Sequence, residues 1–196
     1  MMVMGGSQAW GSGAADSAHT FAQLMENSLR ARGLPVEVFN AACNGGGITR
    51  SLDLYRGMLR GLQIDLLIAD IGLNETSGLV RTGGAARQRS IDIQAGYFEE
   101  WLTLCRGDGV DMLLVPEPMC GETPLRPIPA FYDALESVAR RCGASVAQTA
   151  AAIHELERQH FVWWDTAHFT PYGHEAFARL LLPDVERLVR RRVSVE

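Results

Sequence analysis

Asp65-Leu-Leu-Ile-Ala-Asp70 is the segment from which the architecture of this chain is most directly inferred. Its four apolar residues follow one another without the alternation of a strand that faces water on one side. Strands buried on both faces occur almost only in parallel sheets that are covered by helices. The segment therefore predicts a central strand of an α/β protein.

Short apolar runs alternate with amphipathic stretches on both sides of this segment, which favours a parallel α/β sheet. Further strands are expected at residues 1–4, 36–39, 112–115 and 144–147. Apolar residues recur at helical spacing in six stretches between them: residues 17–32, 50–62, 87–106, 131–141, 150–158 and 171–192. Two polar segments, residues 76–86 and 119–129, are expected to be surface loops.

The bulk composition indicates an ordinary globular chain. With 196 residues, 47% hydrophobic and 21% charged, a single domain over residues 1–196 is expected. The net charge of −5 argues against a nucleic-acid partner. No apolar run approaches the ~20 residues of a membrane span, and no signal peptide is visible, so a cytoplasmic location is expected. A processed chain or a domain cut from a longer protein stays open.

Polar, glycine-containing segments follow three of the predicted strands. Residues 5–13 follow the first strand, residues 40–49 the second and residues 70–76 the third. The carboxyl ends of parallel strands meet at one edge of a sheet, where ligands of such folds bind. We therefore expect the functional site at this edge.

Asp165-Thr-Ala-His168 places a carboxylate and an imidazole on one short loop near the end of the chain. The carboxylate can orient the imidazole, which can then act as a base. A nucleophile for that base is offered by Ser7, in Gly5-Gly6-Ser7-Gln-Ala-Trp-Gly11-Ser-Gly13. Nearby glycines allow a sharp turn and close approach of a substrate, although a serine among glycines can also be a plain turn residue.

Attack of a serine on an ester carbonyl creates an oxyanion, which needs hydrogen-bond donors. Three candidates lie on the expected edge: the backbone N–H of Ser7, a backbone N–H within residues 44–47, and the side-chain amide of Asn74. Asn74 could equally cap a helix or form a turn. The coincidence of all these residues at one edge favours the catalytic interpretation.

Other kinds of site fit the sequence less well. Asp165, His168 and His174 could contribute to a metal site, but no further ligand cluster accompanies them, so neither a metal nor a cofactor is expected. His174 is expected to pack or to lie on a helix surface. Cys43, in a glycine-rich neighbourhood, is an alternative nucleophile. The spacing of a dinucleotide-binding motif is absent.

Taken together, these motifs resemble those of the SGNH hydrolases, also called the GDSL esterase/lipase family. The family's G-D-S-x-x-x-G-x-G block resembles residues 5–13, and its Asn-led second block resembles residues 40–49. Its G-x-N-D block resembles Gly72-Leu-Asn74-Glu75, and its D-x-x-H block resembles Asp165-Thr-Ala-His168. The resemblance extends from residue 5 to about residue 182, which is nearly the whole chain.

The resemblance implies a flavodoxin-like three-layer α/β/α sandwich with about five parallel strands. It implies Ser7 as nucleophile, His168 as base and Asp165 as its partner, with an oxyanion hole formed by Ser7, Gly45 and Asn74. The implied activity is that of a serine esterase acting on an acetyl or short acyl ester of a small molecule, sugar or lipid. An acyltransferase with the same triad, or a non-catalytic binding module on the same fold, are the alternatives.

Two positions depart from the family pattern. Gly6 replaces the Asp that usually precedes the nucleophile, and Glu75 replaces the Asp that follows the oxyanion Asn. Neither position is assigned a chemical step, so activity is expected to survive, with Ser7 held less firmly. Three tryptophans beside the catalytic segments could line a substrate pocket or belong to the core: Trp10, Trp163 and Trp164.

Overall fold

The computed structural model describes residues 1–121 and 128–194. Within these residues five strands form one sheet in the order β2-β1-β3-β4-β5, and all neighbouring strands are parallel. They are β1 (Met2–Gly5), β2 (Phe39–Asn40), β3 (Leu66–Ile71), β4 (Asp111–Pro116) and β5 (Ser145–Val146). The predicted central strand is β3, which lies between β1 and β4 and is buried along its whole length. The α/β class is confirmed.

Eight α-helices connect and flank these strands in the described ranges, and a 3₁₀ turn over Ser17–His19 precedes the second of them. They are α1 (Ser7–Trp10), α2 (Phe21–Ala31), α3 (Ile48–Leu54), α4 (Leu73–Leu79), α5 (Gly84–Gly107), α6 (Pro129–Arg141), α7 (Ala150–Glu157) and α8 (Pro171–Val193). α3 continues directly into a π-helical turn over Tyr55–Leu59. None of the helices in this part of the chain combines the length and apolar character needed to span a membrane.

The sheet separates two apolar cores. Val3 and Ile68 belong to the core that includes α2 and α8, whereas Met4 and Leu67 belong to the core that includes α3, α5 and α6. Successive residues of a strand point to opposite faces, so each central strand contributes to both cores. The result is the expected three-layer α/β/α arrangement.

The prediction of a surface loop at residues 76–86 is wrong over most of its length. α4 ends at Leu79 and α5 begins at Gly84, which leaves only residues 80–83 between the two helices. Thr, Ser and Gly in this stretch suggest a loop, but Leu79 is 4% exposed and packs into the core beside β3. Tertiary packing therefore outweighs local helix propensity here. In the second expected loop, residues 122–127 lie outside the described residues.

The second strand also begins later than the predicted residues 36–39. A tight turn joins the Val36 N–H to the Leu34 carbonyl, and regular pairing with β1 starts only at Phe39. Val36 instead packs into the core on the α2 side. β2 is therefore a two-residue edge strand, which still directs the following turn to the carboxyl edge of the sheet.

Candidate active site

Ser7 lies in the sharp turn between β1 and α1. Gly5 ends the strand with φ of +154°, and a Cβ atom there would come within 2.3 Å of the Asp70 carbonyl oxygen on β3. Ser7 then opens α1, and Gly11, with φ of +107°, ends this helix. Glycine at these two positions allows the abrupt change of direction that places Ser7 at the carboxyl edge of the sheet.

His168 joins Ser7 to Asp165. Its Nε2 lies 2.9 Å from Ser7 Oγ, and its Nδ1 lies 2.7 Å from Asp165 Oδ2. The other oxygen of Asp165, Oδ1, accepts the backbone N–H groups of Ala167 and His168, each at 2.8 Å. The structure thus brings together the three residues predicted from opposite ends of the chain.

The charge of Asp165 fixes the orientation and tautomer of the imidazole. Partial burial opposes ionisation, but the hydrogen bonds from the His168 ring and from the Ala167 and His168 amides hold the pKa of Asp165 below its usual value. An ionised carboxylate only accepts hydrogen bonds, so Nδ1 of His168 donates to it. Nε2 is then left with a lone pair that can accept the proton of the Ser7 hydroxyl.

Asn74 lies in the first turn of α4, with its side chain directed toward the segment that carries Ser7. Its Nδ2 donates to the Gly46 carbonyl at 2.5 Å. A Cβ atom built on Gly6 would lie 2.4 Å from the same nitrogen, so the amide rests against the backbone that precedes Ser7. An amide nitrogen carries two donor hydrogens, and one remains after the bond to Gly46.

Gly45 lies in the turn that precedes α3. The Gly46 N–H donates to the Cys43 carbonyl at 2.8 Å, and Gly45 has φ of +71°, as the third residue of a type II turn requires. Among the described residues no acceptor pairs with the Gly45 N–H. Gly45 immediately precedes Gly46, whose carbonyl accepts from Asn74, so a hydrogen bond joins the Gly45 turn to α4.

Gly6, where the family usually has Asp, lies directly against the Asn74 side chain. A Cβ atom at this position would lie 2.4 Å from Asn74 Nδ2, so any other residue here requires the Asn74 amide to shift.

Additional support for α1 comes from Gln8, which is fully buried. Gln8 Nε2 donates to the carbonyls of Pro118 at 3.0 Å and Ala167 at 2.7 Å. This residue ties α1 to the His168 loop, and its only signal in the sequence was its position after Ser7.

His174 is a packing residue. It is fully buried, and its Nε2 lies 3.1 Å from the Ser12 carbonyl oxygen. Its ring stacks on Phe21 with centroids 6.2 Å apart. Burial lowers the pKa of His174, and the contact with Ser12 only partly offsets this effect. In residues 1–121 and 128–194, no three His, Cys, Asp or Glu side chains are arranged to hold a metal ion.

The three tryptophans near the site divide into one core residue and two surface residues. Trp163 is buried, and its Nε1 donates to Glu157 Oε2 at 2.6 Å. Trp10 and Trp164 are more than half exposed, and Trp164 Nε1 donates to the Gly13 carbonyl at 3.2 Å. Trp10 also lines a surface cleft of 530 Å³. Trp10 and Trp164 therefore offer aromatic surface on segments that continue from Ser7 and lead to Asp165.

Cys43, the alternative nucleophile, lies in the turn before α3. Its Sγ is 2.6 Å from the position that a Cβ atom on Gly46 would take, so the side chain is directed along its own turn. His168, the candidate base, is engaged with Ser7. The geometry favours Ser7.

The sequence model of the family described as GDSL-like Lipase/Acylhydrolase matches residues 3–176. Among curated proteins, no sequence matches the chain.

Solved structures resemble the chain over nearly its whole length. An alpha/beta hydrolase enzyme from the metagenome of Lake Arreo is 17% identical, with 95% of this chain and 94% of that chain covered and a TM-score of 0.74. An acetylxylan esterase from Geobacillus stearothermophilus is 15% identical, with 94% and 92% covered and a TM-score of 0.74. A second acetyl xylan esterase is 14% identical, with 94% and 100% covered and a TM-score of 0.74. These similarities establish the fold.

Proposed function

Because this chain belongs to the GDSL-like lipase/acylhydrolase family, we propose that it hydrolyses carboxylic esters through an acyl-enzyme formed on Ser7. The family membership confirms the resemblance seen in the sequence and supports an esterase or acylhydrolase activity. The observation that carries the proposal is the continuous chain of contacts from Ser7 Oγ to His168 Nε2 at 2.9 Å and from His168 Nδ1 to Asp165 at 2.7 Å.

In the first half-reaction, Ser7 Oγ attacks the ester carbonyl while His168 Nε2 takes the hydroxyl proton. The carbonyl oxygen becomes an oxyanion, for which Ser7 N–H, Gly45 N–H and Asn74 Nδ2 are the proposed donors. Collapse of the tetrahedral intermediate expels the alcohol, which takes its proton from His168. In the second half-reaction, water repeats these steps on the acyl group and regenerates Ser7.

For the substrate, we propose an acetyl or other short acyl ester of a small molecule, sugar or lipid. Two of the similar structures are described as acetyl xylan esterases, which supports a small acyl group on a carbohydrate. The exposed rings of Trp10 and Trp164 supply apolar faces on which a sugar ring or an acyl chain can pack. Transfer of the acyl group to an alcohol instead of water is the alternative, and product analysis with and without added acceptors distinguishes the two.

Replacement of Ser7 by Ala tests the proposal. The variant is expected to lose turnover of p-nitrophenyl acetate and labelling by a fluorophosphonate probe, while its circular dichroism spectrum stays that of the wild type. Ser12→Ala, in the same loop, is the matched control, because Ser12 contacts its surroundings through its backbone, with its N–H donating to the Ser7 carbonyl at 2.9 Å and its carbonyl oxygen 3.1 Å from His174 Nε2. Full activity of the Ser7→Ala protein would refute the assignment of the nucleophile.

A further inference from the structure

The proposed oxyanion donors belong to three separate segments: α1, the turn before α3, and the first turn of α4. Such donors act only when they lie about 3 Å from the position that the oxyanion takes in the transition state. A functional constellation of this kind has to be held to within roughly 0.5 Å. Groups that hold these segments against one another therefore affect the reaction without touching the substrate.

Glu75 joins α4 to the turn that carries Gly45. Its side chain is 8% exposed, and its Oε1 accepts the backbone N–H of Ile48, the first residue of α3, at 2.6 Å. Gly47 precedes that helix and has no side chain that could cap it. A Cβ atom on Gly47 would lie 2.2 Å from Glu75 Oε1, so glycine there leaves the space that the carboxylate occupies.

Glu117 holds α4 from the other side in the same manner. It follows β4, is 4% exposed, and its Oε2 accepts the backbone N–H of Leu73, the first residue of α4, at 2.5 Å. Gly72 precedes this helix and again supplies no cap. A Cβ atom on Gly72 would lie 2.6 Å from the Glu117 Cβ and 2.6 Å from the Tyr132 hydroxyl. Two neighbouring helices thus receive their N-terminal acceptor from a distant buried carboxylate.

Burying these two carboxylates costs free energy, which an ordinary side-chain cap at the start of a helix would avoid. Burial raises the pKa of Glu75 to about 6, even though the Ile48 N–H favours its charged form. Burial, opposed by the Leu73 N–H and reinforced by the charge of Glu75, holds the pKa of Glu117 above its usual range. A Ser, Thr or Asp at the preceding position is the ordinary way to cap a helix. Here such side chains are absent, and the acceptors instead bridge separate segments.

We propose that Glu75 and Glu117 are positioning residues for the oxyanion hole. Glu117 fixes the start of α4 and with it Asn74, and Glu75 fixes the Gly45 turn relative to α4. The two contacts link β4 to α4 and α4 to α3. They therefore fix the positions of the Gly45 and Asn74 donors relative to the sheet. The inference rests on the proposed function, since it assigns how that site is held in place.

Steady-state kinetics on p-nitrophenyl acetate, together with amide exchange measured residue by residue, test this role. Glu75→Ala is expected to lower kcat by about 10- to 100-fold with KM nearly unchanged, because a misplaced donor weakens stabilisation of the transition state more than binding of the substrate. The Ile48 amide is expected to exchange faster in this variant. Glu75→Gln keeps an acceptor oxygen and is expected to recover most of kcat. Asn74→Ala sets the upper limit, a loss of about 10²- to 10³-fold.

Glu26→Ala is the matched control. Glu26 is also buried and also accepts a distant backbone N–H, that of Val38 at 2.8 Å, but it lies on α2, and its polar partners Val38 and Arg30 lie outside the three donor segments. Its loss is expected to lower the melting temperature and leave kcat unchanged. If Glu75→Ala does not fold, Gly47→Ala displaces the same carboxylate from the α3 side and is expected to lower kcat similarly.

The possible outcomes separate the two proposals. A wild-type protein that neither hydrolyses esters nor labels at Ser7 would refute the proposed function and with it this role. Two results with an active wild type would refute the positioning role alone. One is a variant that loses the Ile48 contact but keeps its kcat. The other is an equal fall of kcat in Glu75→Gln and Glu75→Ala.

Discussion

Asp165 divides its two oxygens between structure and chemistry. Oδ1 accepts two backbone N–H groups of its own loop, and Oδ2 accepts the His168 ring. The two bonds to Oδ1 shape the loop, and the bond to Oδ2 orients the imidazole of the proposed base. This division makes it possible to change the chemistry while keeping the loop.

Asp165→Asn is expected to lower kcat by about 10²- to 10⁴-fold while leaving the loop folded. The amide oxygen of Asn can still accept from Ala167 and His168, but its NH₂ group would face Nδ1 of the ring. Nδ1 would then have to accept, which places the ring proton on Nε2 and removes the base. Kinetics and the melting temperature of the variant check this prediction. A variant with normal kcat would show that the imidazole needs no carboxylate partner.

At this scale the sequence was most informative where chemistry dictates a residue type. The meeting of Ser7, His168 and Asp165 could be predicted, because the proposed roles of nucleophile, base and carboxylate each require particular side chains. Gln8 and Glu117 could not, because their partners are backbone atoms of remote residues, which leave no pattern in the sequence.

Among the structural elements, the two loops that carry the candidate triad pack directly against each other. Gly13, with φ of +90°, ends the Ser7 loop, and a Cβ atom there would lie 1.9 Å from the Phe169 carbonyl oxygen and 2.8 Å from Trp164 Cδ1. The His168 loop therefore packs against bare backbone. This contact is a further reason why Ser7 and His168 keep their separation.

Gly13→Ala is expected to destabilise the fold by about 1–3 kcal/mol more than Gly33→Ala. Gly33 also has a positive φ, +78°, but a Cβ atom there meets nothing within 4 Å, so it measures the backbone strain alone. Urea unfolding of both variants gives the difference. Equal losses of stability would show that the two loops separate without cost.

Helices could be predicted where the apolar periodicity extends over many residues, as in α5 and α8. Elements that begin at a contact with a distant residue were predicted less well. α4 is the clearest case. Its first N–H is satisfied by Glu117, 44 residues further along the chain, so no local capping signal precedes it. β2 was displaced because a tight turn, rather than apolar alternation, determines where pairing with β1 begins.

For the whole molecule, the order of strands could be anticipated only in part. The two-sided apolar pattern of β3 predicted its central place, because that pattern reflects burial against both cores. The cluster of carboxyl groups beneath the carboxyl edge could not be predicted. Asp70 is 1% exposed, and burial together with the charges of Glu117 and Glu75 raises its pKa well above the usual value.

This cluster gives the stability of the molecule a distinctive response to pH. Folding raises the pKa of Glu75 from 4.5 to about 6, so the folded state binds more protons in that window and its stability falls as pH rises through it. Glu75→Gln removes this loss and is expected to be more stable than wild type by about 2 kcal/mol at pH 8. The difference should vanish near pH 4. Urea unfolding at several pH values measures it, and a gap that does not change with pH would contradict the prediction.

The contact between Ser7 and His168 joins positions 161 residues apart in the chain. During synthesis, Ser7 therefore emerges from the ribosome long before His168 has been made. α8 follows His168 in the chain and packs against α2, so both ends of the chain are needed to build the site. A chain that terminates before residue 165 would consequently carry Ser7 without its proposed base and without the carboxylate that orients it.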